Sequence, residues 1–262
     1  MISRQDVGLA TSGADEFRAS AGKMRALLDI LVCYGLILFV IWTPRPMQRW
    51  FYWTAIAWVV LSTCLSFAGW KAMGFRVAGF RHSLWVVGVA LVIAAGAVAL
   101  AARLHTLHEP HGPTQWVRSF AGYAVWSLMQ QFLLQGYFLL RLQRLLPGRT
   151  WAVITAAGIF AAAHLPNPIL TPMTFAWGLA ASFVFLRFRN IYPLALAHAI
   201  FGICIAVTIP APVVRNMRVG LGYLRYHEPR QLHLSQSDHS VSTVAWVMAE
   251  APTRRCARQA LP

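Results

Sequence analysis

Long apolar runs alternate with short polar, mostly basic loops along this chain. The runs cover residues 27–42, 51–68, 84–102, 119–140, 151–164, 173–186 and 191–210. Each meets or approaches the roughly 20 apolar residues that a helix needs to cross a bilayer. Hydrocarbon holds no water to satisfy an open backbone, so spanning segments must close their own hydrogen bonds as helices. The pattern therefore predicts an all-α, polytopic transmembrane bundle of about seven spans over residues 26–210, with no β-sheet. The run 151–164 is the shortest, and its uncharged flank reaching residue 169 lets it lengthen. Residues 1–25 read as a mobile cytoplasmic N-terminal arm, with room for a short interfacial helix before the first span, and residues 211–262 as a polar, partly disordered tail whose one apolar patch, 241–248, is too short to span.

Composition supports the bilayer as solvent. The 262 residues are 58% apolar and 12% charged, against roughly 25% charged in an ordinary soluble domain. A formal charge of +15 raises the question of nucleic acid. The Lys and Arg residues are spread over many loops and form no phosphate-tracking stripe, so no nucleic-acid partner is expected and membrane lipids are. One set of alternate loops carries Arg4, Arg18, Lys23, Arg25, Lys71, Arg76, Arg81, Arg141, Arg144, Arg149, Arg187 and Arg189, the other only Arg45, Arg49, Arg103 and Arg118. The positive-inside rule then places the N-terminus in the cytoplasm, for a multi-pass protein expected in a bacterial inner membrane. The tail after Pro210 falls outside by the same count while carrying Arg215, Arg218, Arg225 and Arg230, which runs against the rule. No secretory leader is expected, because the first apolar run follows a polar stretch and is long enough to stay as a helix. Cys33, Cys64, Cys204 and Cys256 have no metal-type spacing, and the position of Cys256 does not fit a prenylation signal.

Two loops invite a chemical reading. Residues 70–82 mix Trp70, Phe75 and Phe80 with Lys71, Arg76 and Arg81, as a segment at the headgroup level does. His105, His108 and His111 recur every third residue, but Pro110, Gly112 and Pro113 break the helix that would align them. They read as loop histidines.

Within the spans the polar side chains concentrate between Ser127 and His198. Such groups are costly in hydrocarbon unless paired, so they face the bundle interior and mark sites. Ser127, Gln131 and Gln135 recur every four residues and share one helical face, with Gln130 turned away. Glutamines alone also serve as helix glue. His164 stands where its helix must stop ahead of Pro166 and Pro168, and could simply cap freed carbonyls. His198 lies within the last span. Together these groups predict one polar cavity in the C-terminal half of the bundle that brings Gln130, Gln131, His164 and His198 together, with Asn167 nearby.

The segment Gln130-Gln131-Phe-Leu-Leu-Gln135-Gly136-Tyr137, the pair Phe160 and His164, and the His198 region after Asn190 and Pro193 resemble, over roughly residues 115–210, the three motifs of the CPBP family, the type II CAAX prenyl proteases and bacteriocin-processing proteins. The resemblance implies a helical-bundle intramembrane endopeptidase in which two glutamates activate a water, aided by two histidines and an asparagine. It assigns catalytic positions to Gln130, Gln131, His164 and His198, ligand-binding ones to Gln135 and Asn167, and a membrane-anchored peptide or prenylated substrate. Here glutamine stands at both glutamate positions and at the motif arginine, Gln135, while Gly202 stands at the asparagine. An amide has no proton-accepting carboxylate and cannot be the general base. It is also a poor ligand for a hard cation, which prefers carboxylates, so no cofactor is predicted and a divalent metal is left open. Two functions follow: an endopeptidase working by an altered route with His164 or His198 as base, or a non-catalytic scaffold that holds a peptide, lipid or prenyl chain in the same cavity. A transporter would show internal repeats or paired broken helices, and none is visible.

Overall fold

The computed structural model describes residues 4–77, 79–107 and 113–226. It is all-helical, with no strand among those residues. Helix α1 spans Arg4–Trp42, α2 Gln48–Leu65, α3 Phe80–Ser83, α4 Trp85–Arg103 and α5 Pro113–Gln131. A π-helical segment, Phe132–Leu139, leads into α6, Leu140–Leu145. Then come α7 (Arg149–Ala162), α8 (Leu170–Phe188), α9 (Tyr192–Thr208), α10 (Ala211–Val214) and α11 (Gly220–Leu224).

Every apolar run of the sequence has its helix. Those at Ala19–Trp42, Phe80–Arg103 and Leu170–Phe188 are long and apolar enough to cross a membrane individually, and Arg149–Ala162 and Tyr192–Thr208 are shorter apolar helices. The distribution of side chains is that of a protein in lipid. Leu31, Val60 and Val92 are exposed, while Gln131, Gln135, Ser127, His198, Asp29 and Arg141 are buried. The apolar surface belongs to the hydrocarbon and the polar groups pair inside. This is an integral membrane helical bundle.

The structure adds detail at both ends of the bundle. Residues 4–25 run into the first span as part of one helix, Arg4–Trp42, of 39 residues. The tail is folded as far as Tyr226, and only its remainder, with the 241–248 patch, lies outside the described residues. His108 and His111 also lie outside them, whereas His105 sits in the turn after α4.

Helix ends follow from local chemistry. The Asn167 side-chain oxygen accepts the backbone N–H groups of Ile169 and Leu170 at the start of α8, at 3.1 and 3.0 Å. Asn190 does the same for Tyr192 at the start of α9 (3.0 Å), where Pro193 occupies the first turn. Both satisfy donors that a helix N-terminus leaves without partners. Gly178 lets α7 and α8 approach until an added Cβ would lie 3.0 Å from the Cα of Ala157, the small-residue contact that membrane helices use in place of a hydrophobic drive. Helix α9 packs against both α4 and α5, and α1 against α2.

The connections gather at two opposite ends. At one, Asn190 donates to the Arg76 carbonyl (2.7 Å), the Ile191 N–H to the Gly74 carbonyl, and Arg141 to the Ser66 hydroxyl. At the other, Thr106 donates to the Thr208 carbonyl (3.1 Å) and the Gly220 N–H to the Leu165 carbonyl (2.7 Å). The loops rich in Lys and Arg thus share one end, and residues 211–226 pack at the other.

Candidate functional site

Gln131 ends the α-helical part of α5, and the wider π-helical turn begins at Phe132. Such turns interrupt regular packing and occur often at functional sites. Gly136 lies within this one, where a Cβ would come 3.0 Å from the Phe132 ring and 3.2 Å from the Met73 carbonyl oxygen. Only glycine lets the loop after α2 press this closely on the widened helix.

The face foreseen from the four-residue spacing exists: Ser127, Gln131 and Gln135 are all fully buried. The Gln135 amide nitrogen reaches the Gln131 side-chain oxygen at 3.5 Å. The Gln131 amide nitrogen stands 3.1 Å from Nδ1 of His198 on α9. An amide NH2 can only donate, so Nδ1 accepts and the neutral imidazole carries its proton on Nε2. His198 therefore presents an N–H donor on its far side.

His164, just past the end of α7, has the opposite tautomer. Its Nδ1 lies 2.7 Å from the Phe160 carbonyl oxygen, which can only accept. Nδ1 is then the donor, and Nε2 of the neutral ring keeps a free lone pair. The two imidazoles meet the same Phe160 ring, with centroids 4.9 Å away for His164 and 5.8 Å for His198. The Trp177 ring closes on His198 from α8 at 6.2 Å. Four elements thus converge: the α5 and π-helical turn, the end of α7, α8, and α9.

The structure joins Gln131, Gln135 and His198 by hydrogen bonds and brings His164 beside them through Phe160. Gln130 is half-buried, and no hydrogen bond or ring contact among the described residues ties it to this group. Asn167 is turned elsewhere. Its amide nitrogen donates to the carbonyls of Val214 (2.9 Å) and Arg218 (3.1 Å) while its oxygen caps α8, so its polar atoms are committed to backbone. It orders the loop after His164 and fastens the following segment to it. Among the described residues no group of three His, Cys, Asp or Glu side chains converges to hold a metal. Two imidazoles with amide neighbours do not form the usual three-ligand donor set of a catalytic metal. Several buried polar atoms around the site have no protein partner, namely the Gln135 side-chain oxygen, the Ser127 and Ser182 hydroxyls and the Trp177 indole nitrogen.

One buried polar cluster escaped the sequence reading. Asp29 of α1 meets Arg141 of α6, with the Arg141 Nε donating to the carboxylate at 3.0 Å and both side chains more than nine-tenths buried. Arg141 also donates to the Ser62 carbonyl (3.2 Å), the Ser66 hydroxyl (2.8 Å) and the Tyr137 carbonyl (3.3 Å), and its guanidinium lies over the Tyr137 ring. The signal was available, because an acidic residue inside an apolar run needs a partner. By its place in the sequence Arg141 falls among the loop charges, and only the fold turns it inward.

Residues 112–204 match the family model described as Type II CAAX prenyl endopeptidase Rce1-like. That segment is similar to the core of the CAAX-protease family. Every polar group of the Gln131–His198 site falls inside the matched segment, whereas Asp29 and the docked residues 211–226 lie outside it. No match is found among curated proteins or solved structures.

Proposed function

We propose that this chain is an intramembrane endopeptidase of the CAAX-protease type whose carboxylate pair is replaced by a neutral amide and imidazole system. The observation that carries the reading is the opposed tautomers of His164 and His198. His164 Nε2 takes a proton from water as the water oxygen attacks the carbonyl carbon of the scissile peptide. The developing oxyanion accepts from the His198 Nε2–H, and the Gln135–Gln131 relay holds that ring in its donating tautomer. As the C–N bond breaks, His164 returns the proton to the leaving amine. Gln135 keeps a free amide oxygen to accept an N–H of the bound segment, and Asn167 orders the loop that carries His164. The substrate is a peptide held at the membrane by its own apolar or isoprenoid anchor. The protein sits in a bacterial inner membrane with the N-terminus and the Arg-rich loops in the cytoplasm.

The test is cleavage of a membrane-anchored peptide reporter by the full chain in lipid. His164→Ala should slow it by roughly 10²–10⁴, the usual worth of a general base. His198→Ala should slow it by about 10²–10³, as loss of an oxyanion donor does. Cleavage that is indifferent to His164 would sink the reading.

A second reading is favoured by one fact, that no acidic residue occurs between Glu109 and Glu228. In it the protein is a non-catalytic scaffold that holds a peptide, lipid or prenyl chain in the same place. A native chain that binds the reporter and never cuts it, while Gln130→Glu with Gln131→Glu restores cutting, would establish that reading instead.

A further inference from the structure

His164 stands at the head of the loop between α7 and α8, and that loop cannot satisfy its own backbone. Pro166 and Pro168 carry no N–H, and the N–H groups of Leu165 and Asn167 are committed to the carbonyls of Ala162 and His164. The further bonds come from residues 211–226. The Gly220 N–H donates to the Leu165 carbonyl at 2.7 Å, and the Asn167 side chain donates to the carbonyls of Val214 and Arg218. On its other side this segment packs through α11 against α1. Gly220 is buried with φ +54°, and a Cβ there would lie 2.6 Å from the carbonyl oxygen of Ile41, in the last turn of α1. Glycine alone fits both the backbone angle and the space. The segment reaches this place through a strained turn, because Arg215, Asn216 and Met217 are successive non-glycine residues with φ of 45°, 54° and 56°. Such backbone is costly, persists only where its surroundings hold it, and concentrates at functional sites. Here Arg215 donates to the Tyr223 carbonyl at 2.7 Å and lies over the Tyr223 ring, while the Asn216 amide donates to the Tyr226 hydroxyl at 3.0 Å. Helix α1 and residues 211–226 both lie outside the family-matched segment, 112–204. The loop that carries His164 is thus held from outside the family-like core.

We propose that residues 211–226 are a clasp that sets the place of His164, with Gly220 the positioning residue that ties the loop after His164 to the end of α1. The Phe160 carbonyl fixes the imidazole from the helix side, and the clasp fixes its backbone from the loop side. The effect on cleavage rests on the endopeptidase reading, whereas the placement of the ring does not.

The experiment uses the full chain, isotope-labelled at histidine, in phosphatidylcholine nanodiscs. Ring signals are read by NMR and assigned through His164→Ala and His198→Ala, and turnover is read with a membrane-anchored peptide reporter. Gly220→Ala should shift or broaden the His164 ring signals and leave in place those of His198, which α9 and Gln131 hold. The same variant should lower kcat roughly tenfold or more with KM within about twofold, because misplacing a reacting group by about 1 Å is worth up to roughly 10² in rate. Arg215→Ala loosens the strained turn without touching α1. It should move the same signals by less, and it carries the test where Gly220→Ala fails to fold. Native His164 signals in both variants would overturn the clasp. Signals of His164 and His198 that move together, with a lowered unfolding temperature, would overturn it too, since the segment would then support the whole bundle alike. A native kcat despite displaced His164 signals, or a native chain that never cuts while those signals respond, would overturn only the endopeptidase reading.

Discussion

Asp29 and Arg141 join α1 to α6 through a buried ion pair that is also hydrogen-bonded to Ser62 and Ser66. A buried pair is costly to break from one side, because the abandoned charge cannot reach water. Asp29→Ala should therefore destabilise the bundle by about 3–5 kcal/mol, read as a lower unfolding temperature in detergent. Replacing both partners by apolar residues of similar size should recover most of that loss. Equal losses in the single and double variants would show that the ion pair itself, and not a stranded charge, carries the stability. The contrast with the Gln131–His198 site is physical. There every partner is neutral, so single substitutions strand a hydrogen-bonding group at about 1–3 kcal/mol and not an ion.

At the scale of elements, two contacts decide where His164 stands. Helix α7 carries it, and α7 is held to α8 across Gly178, with Ala152, Ala156 and Ala157 buried along the seam. Gly178→Val should push the helices apart, cost about 1–3 kcal/mol, and lower cleavage together with thermal stability. Unchanged stability would show that the seam has slack. The loop after His164 is fastened by Asn167 to Val214 and Arg218. Asn167→Ala removes both bonds and the α8 cap, so amide exchange in residues 211–226 should accelerate while the exchange of α9 stays slow. Exchange that rises equally in both would mean that the whole bundle had loosened.

At the scale of the whole molecule, the basic loops share one end and residues 211–226 the other. With the N-terminus in the cytoplasm, a membrane-impermeant maleimide applied to intact cells should label Val213→Cys and spare Thr150→Cys until the cells are permeabilised, in a background with Cys64 and Cys256 replaced by serine. The reverse pattern would invert the protein in its membrane. The folded tail also bears on the positive-inside conflict, since Arg215 lies against Tyr223 and donates to the Tyr223 carbonyl at 2.7 Å. That arginine is held by the protein's own structure, and its placement need not follow a rule for short loops.

The amino-acid sequence by itself determined the solvent, the helices and the face on which Ser127, Gln131 and Gln135 lie, because apolar run length and four-residue spacing are local properties of a chain in hydrocarbon. It also carried the family motifs, since their order and spacing are written linearly. Which polar group meets which was decided only in three dimensions. Gln130 and Gln131 are adjacent and chemically identical, yet the crossing of α5 with α9 gives His198 to Gln131 alone. Asn167, read as a ligand of the cavity, is claimed by a segment some 50 residues later. Asp29 finds Arg141 across 112 positions of chain, and Tyr123 lies against a glycine whose role is invisible until the two helices touch. Each of these pairings depends on helix packing between segments distant in sequence, and packing of that kind leaves no periodic signature in either strand of residues taken alone.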